Sequence, residues 1–270
     1  MRRNAPGALL HTLLLFATPL AGQTTLGPRS ALDAIDWRVP IHTQSEDPAF
    51  GDYGVWAAGR GYKVSFHDGM CFYPVLGADA PRHQPLRWTT RGVRLGELEI
   101  LPDRATYRPH HDAWRFEYRF AGVTEAYDVR PDGVEQSFVV ARPAALGGAA
   151  PLDGDLVVTG QWGSSLQPVR DAVPGSARSE LHFVDQTGRE LVRYGGAIAL
   201  DAAGRRTDVS TAVWGDAIRL IVPAAWVRTA TWPITIDPLL CGLAFDSAGL
   251  GRPQARHRRL ARRSPRAPRL

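Results

Sequence analysis

AWRFEYRFAGVTEAYDVRPDGVEQSFVV, residues 113–140, decides the fold. Trp114, Phe116, Tyr118 and Phe120 fall on every second position, with Arg115, Glu117 and Arg119 between them. That is the period of a strand with an aromatic face turned in and a charged face turned out. Ala121-Gly122 supply a two-residue turn, which sets Phe120 opposite Val123, Phe116 opposite Tyr127 and Trp114 opposite Val129. Arg130-Pro131-Asp132-Gly133 then reads as a type I turn whose glycine takes a positive φ and adds a bulge residue, followed by a third strand over 134–140. With that bulge, either Phe138 or Val139 can join the Trp114 face.

The same grammar extends outward. Tyr62 to Phe66 and Met70 to Leu76 flank His67-Asp68-Gly69, a second hairpin, and 86–101 carries one or two strands through Trp88, Val93, Leu95, Leu98 and Ile100. Toward the N-terminus Ile35, Trp37, Val39 and Ile41 alternate as an edge strand within a weakly patterned segment, 23–60. Past a stretch rich in Ala, Gly and Pro at 141–153, short apolar segments recur at 156–159, 181–184, 191–194, 197–200, 211–214, 218–222 and 232–236, with one helical turn expected at 223–226. Strands at this spacing without long amphipathic helices predict an all-β fold, an antiparallel β-sandwich over 61–240, open to division into two packed halves at 141–153.

Composition bounds the partners. The 270 residues are 44% apolar and 9% aromatic, enough for a sizeable core. The formal charge of +5 is concentrated: eight arginines and no acid lie in 251–270, and without them and Arg2-Arg3 the body holds 22 basic against 27 acidic residues. The folded part is therefore not expected to bind nucleic acid. Arg2-Arg3, an apolar run at 8–17 and small residues at Ala21-Gly22 predict a signal peptide over 1–22, hence a secreted or cell-surface location. That run is shorter than the roughly 20 residues of a membrane-spanning helix, and no transmembrane segment is expected. Cys71 and Cys241 are open to a bridge or to a buried free thiol at Cys71. The tail, 241–270, is expected to be disordered. A basic arm and a solvated extension are two readings of it. A third, a lost reading frame in a GC-rich gene, fits the 31-to-1 excess of arginine over lysine best.

YKVSFHDG at 62–69, EAYDVRPDGVEQSF at 125–138 and the closing WPITIDPL at 232–239 together resemble an uncharacterised β-rich N-terminal domain of large secreted bacterial proteins. In that family repeats of the β-propeller (SBBP), Kelch or FG-GAP type often follow. The resemblance spans about 62–240, and as that family carries no established catalytic residues, it transfers none. The sequence ends where such repeats would begin, which fits the lost-frame reading of the tail.

Candidate chemistry is sparse. Ser164 in the string WGSSL lacks the Gly-x-Ser-x-Gly frame of a nucleophile elbow, and a meeting with His182 is outweighed by a simple turn. His110-His111-Asp112 is expected to be a solvated loop, because adjacent histidines on a strand point to opposite faces. Glu97 and Glu99, about 7 Å apart if both lie on one strand face, fall within the spacing of glycosidase carboxylates, yet surface acids do this routinely. No cofactor or metal signature is present. Trp114, Trp214 and Trp232 sit in strand patterns and are expected in the core, whereas Trp56, Trp88 and Trp162 are less constrained. The expectation is an exported structural or adhesive module, not an enzyme, acting on a cell-surface glycan or protein. The alternative is a carbohydrate-binding module that stacks sugars on Trp56, Trp88 and Trp162.

Overall fold

The computed structural model describes residues 38–43, 54–75, 84–144, 153–170 and 180–242. The signal segment 1–22, Ile35 and Trp37, most of the 141–153 stretch, the tail beyond 242 and the Cys241 side chain lie outside the described residues. Among those described, the chain is almost wholly antiparallel β, with one four-residue helix, α1 (Ala224–Val227), where a helical turn was expected. No described helix is long and apolar enough to cross a membrane.

The first sheet runs β1 (His42–Thr43), β2 (Val55–Gly59), β3 (Tyr62–His67), β4 (Gly69–Pro74), β5 (Leu86–Leu95), β11 (Leu156–Gly163), β18 (Ala217–Val222) and β17 (Ser210–Trp214), with β6 (Leu98–Leu101) also paired to β5. The second sheet is built around β10 (Gly133–Val140). On one edge β10 pairs with β9 (Val123–Arg130), which pairs with β8 (Arg115–Arg119) and then β7 (Arg108–His111). On its other edge lie β19 (Ile234–Asp237) and β20 (Leu239–Gly242). Both hold one antiparallel register against β10, so they are a single strand interrupted at Pro238, whose missing N–H cannot donate. Pro238 still contributes its carbonyl, which accepts from the Gln136 N–H at 3.1 Å. Beyond this strand come β14 (Glu190–Tyr194) and β15 (Ile198–Asp201), then β13 (Leu181–Val184), β12 (Gln167–Arg170) and β16 (Arg206–Asp208).

Strands from before and from after 141–153 are present in both layers, side by side. β11 sits between β5 and β18, and the β19–β20 strand lies against β10. The stretch thus joins two halves that share both sheets.

The register of β8 against β9 is as the sequence indicates. Phe116 faces Tyr127, the Phe120 N–H donates to the Val123 carbonyl at 2.9 Å, and the Val129 N–H donates to the Trp114 carbonyl at 3.3 Å. The bulge expected at Gly133 is absent: Arg130 pairs directly with Gly133, which has no positive φ, and the pairing continues to Val140 opposite Val123. The uninterrupted register turns Val134, Gln136, Phe138 and Val140 inward, fully buried, and leaves Val139 partly exposed. Two aromatic expectations fail. Trp114 is 40% and Trp214 71% exposed, because Trp114 precedes β8 at its hairpin end and Trp214 ends β17, the edge of its sheet. The Arg219 guanidinium lies 4.9 Å over the Trp214 ring. Trp232, the third ring expected in the core, is half-buried against it.

Aromatic side chains bridge the layers. Phe66 of β3 stacks on Phe116 of β8 at 4.5 Å, and Trp88 of β5 stacks on Tyr194 of β14 at 5.6 Å. Cys71 on β4 is a free thiol, 6% exposed, and burial raises its pKa. A polar tie closes one end of the sandwich. The Tyr62 hydroxyl approaches the Arg130 and Gly133 carbonyls at 2.5 and 2.7 Å, and the Arg60 N–H donates to the Pro131 carbonyl at 2.5 Å, so the β2–β3 turn clasps the β9–β10 turn. Burial holds the Tyr62 phenol in its neutral, donating form. Tyr62→Phe is expected to cost about 1–3 kcal/mol, since the one phenol O–H shared by the Arg130 and Gly133 carbonyls is lost. Urea unfolding monitored by tryptophan fluorescence reads this as a lowered midpoint at unchanged slope.

Candidate functional site

A cleft of about 430 Å³ opens between β5 of the first sheet and β8–β9 of the second, within the volumes, roughly 300–1,000 Å³, that ligand pockets occupy. Its floor is Glu125, 2% exposed, with Tyr118 beside it. Its rim is formed by exposed Asp68, at the β3–β4 turn, and exposed Arg104, in the loop after β6.

Glu125 falls on the inward face of β9 between Val123 and Tyr127, so strand alternation forces a carboxyl into an apolar layer. The layer compensates with hydrogen bonds. Tyr127 Oη donates to Glu125 Oε1 at 2.5 Å, Gln136 Nε2 donates to the same oxygen at 2.9 Å, and Thr90 Oγ1 donates to Oε2 at 2.8 Å. Trp88 Nε1 donates to Thr90 Oγ1 at 3.1 Å, and Tyr194 Oη donates to Gln136 Oε1 at 2.9 Å. Trp88 and Thr90 come from the first sheet and the other members from the second, so the network crosses the core. Burial raises the Glu125 pKa, outweighing the donors that favour the carboxylate.

The upper walls are shaped by irregular backbone. Arg91 is the extra residue of a bulge where β5 meets Thr159 and Gly160 of β11, and such bulges re-aim a side chain. Its Nε donates to Gln161 Oε1 at 2.7 Å, and Nη1 pairs with Asp103 at 3.5 Å. Arg104 has a φ of 59°, and among the described residues no other side-chain-bearing residue lies in the left-handed region. Tyr107 is half-buried, edge-on to Tyr118 at 4.9 Å and Phe120 at 5.7 Å, and its hydroxyl donates to Asp68 Oδ1 at 3.2 Å. Burial, then the Asp68 charge, raises the Tyr107 pKa. A second hollow of about 270 Å³, bounded by Val55, Phe66, Pro109 and Phe116, shares Asp68 and Tyr107 with the first.

None of the residues singled out from sequence for chemistry lies in this cleft. Trp88 is 3% exposed, its ring covered by Tyr194 and Phe138. Trp162 is its cross-strand partner and packs edge-on against Phe183 at 5.4 Å, so this pair faces the inner layer instead of forming a sugar platform. Trp56 on β2 is half-buried, 5.0 Å from the His42 ring. Ser164 Oγ accepts from the Leu166 N–H at 3.1 Å in a turn after β11, and His182 sits on β13 with Nδ1 2.9 Å from Glu190 Oε1. His110 and His111 belong to an exposed edge strand, β7, rather than a loop, and Asp112 Oδ1 accepts from the Trp114 and Arg115 N–H groups. Glu97 lies in the β5–β6 turn and only Glu99 on β6, so the two do not share a strand face. Among the described residues no His, Cys, Asp and Glu side chains group as metal ligands.

The cleft residues that sequence reading passed over come from turns and strand ends far apart in the chain. The one available signal was Glu125, an acid on the inward face of a strand between Val123 and Tyr127.

Comparisons with known protein families, with curated proteins and with solved structures found no match to this chain.

Proposed function

We propose that this chain is an exported, non-catalytic β-sandwich module of a bacterial cell-surface protein, with a structural or adhesive role. The supporting observation is where its buried polar groups go. Tyr62 with its two carbonyls and Glu125 with its three donors are both spent on joining one sheet to the other. Such cross-layer ties favour rigidity, the property a surface spacer needs.

Production of the full chain with its own N-terminus in a Gram-negative host, followed by N-terminal sequencing, tests the export. The expected product is outside the cytoplasm and starts near residue 23. A product retained in the cytoplasm with residues 1–22 attached would overturn the reading.

A second reading, a saccharide-binding module, is favoured by the cleft. Half-buried Tyr107 and Phe120 there stand beside the Asp68 carboxylate and the hydroxyl of Thr89, the mixture of ring and polar groups that sugars require.

A further inference from the structure

We propose that the cleft between β5 and β8–β9 binds an acidic sugar residue, its carboxylate on Arg104, its hydroxyls on Asp68 and Thr89, and its ring against Tyr107 and Phe120. The inference rests on the saccharide-binding reading and adds the charge of the ligand.

Three observations carry it. First, among the described residues the Arg104 guanidinium makes no hydrogen bond or ion pair, although its backbone is held at φ 59° on the cleft rim. Side chains persist in that region only when the surroundings over-determine them, and such residues cluster at ligand sites. An unengaged guanidinium with five donors in a planar fork matches a carboxylate.

Second, the cleft is amphipathic in the way a sugar ring is. Tyr107 and Phe120 give it an apolar wall, Thr89 supplies a hydroxyl, and Asp68 is exposed, with Oδ1 taken by Tyr107 and the remaining carboxylate lone pairs directed to acceptance. At the floor, burial favours the neutral form of Glu125, so the base of the cleft does not repel an anion below that group's raised pKa.

Third, the two hollows share Asp68 and Tyr107 in their linings and so adjoin as one groove. The groove thus offers a charged subsite at Arg104 and a less polar neighbour at Val55, Pro109 and Phe116, which suits a short oligosaccharide.

The test is titration of the full-length chain by calorimetry with a trimer of galacturonic acid and, separately, a trimer of galactose. Arg104→Asn removes the guanidinium with a residue that tolerates the left-handed region, so folding is spared. The expected result is saturable binding of the acidic trimer, weakened about tenfold or more in Arg104→Asn, as loss of a charge-assisted pair requires, with partial recovery in Arg104→Lys. Tyr107→Ala should weaken it as well. Equal binding of both trimers, unmoved by Arg104→Asn, would overturn the acidic ligand and leave the saccharide reading standing. Binding of neither trimer to the folded protein would overturn both.

Discussion

Gly160→Ala is expected to lower the unfolding free energy by about 3 kcal/mol, the upper end of the usual cost of overpacking a core. A β-carbon on Gly160 would fall inside the Trp88 indole, meeting three of its ring atoms closer than real side chains approach. Trp88 cannot retreat, because Tyr194 stacks on it and Phe138 lies 6.3 Å away across the core. The strand cannot shift either, because Gly160 is held between Thr90 on β5 and Ile218 on β18. The clash is specific to this pair, so a double-mutant cycle should show it. Trp88→Leu alone should cost several kcal/mol, about 3, through lost packing. In the Trp88→Leu background, Gly160→Ala should cost less than about 1 kcal/mol, since the obstructing ring is gone. Guanidinium unfolding of the four proteins measures the cycle, and strict additivity would refute the packing argument.

Glu125→Ala should cost about 4 kcal/mol at pH 7, by leaving the donors of Tyr127, Gln136 and Thr90 without their carboxyl acceptor. Glu125→Gln should behave differently, because it keeps the shape of the neutral acid. The direction of the pH effect follows from burial, which raises the folded-state pKa above the ordinary carboxyl value, about 4.3. The neutral acid is the form the fold prefers. Its contribution is fully present below that ordinary value and is lost as pH climbs through the raised one. Wild-type stability should therefore fall with rising pH more steeply than that of Glu125→Gln, and the two curves should draw together in acid.

Asp237 adds a slope of the same sign in both proteins. Burial and the neighbouring Glu135 push its pKa up to about 7. The difference between the two denaturation series isolates Glu125, and parallel curves from pH 4 to 9 would show that its carboxyl carries no proton linkage.

The 113–140 ladder could be read from sequence because each strand there has one wet and one apolar face and each turn is short. Pairing is then fixed by local spacing, and Phe116 meets Tyr127 as the alternation requires. Gly133 was misread because a glycine after Pro-Asp is compatible with either a bulge or a direct pair. The choice fell to the β19–β20 strand, more than ninety residues away, which needs β10 straight along its whole length. Trp214 shows the corresponding limit for burial. Its strand pattern is sound, but whether the opposite layer reaches the end of β17 is a property of the other sheet. The cleft was hidden for the same reason. Asp68, Arg91 and Arg104 each look like ordinary turn or surface residues, and only the crossing of two layers puts them around Glu125.

The strand interrupted at Pro238 sets the order of events at the ribosome. It is the last described segment to be synthesised, yet it fills the slot between β10 on one side and the separate strands β14 and β15 on the other. Until it emerges, the nascent chain has two unmated sheet edges facing a gap, a state prone to pairing with other chains. Closure of the second layer is thereby postponed until 234–242 has been made. In that interval the exposed edges must be kept from other chains, so a holding chaperone would protect the growing polypeptide.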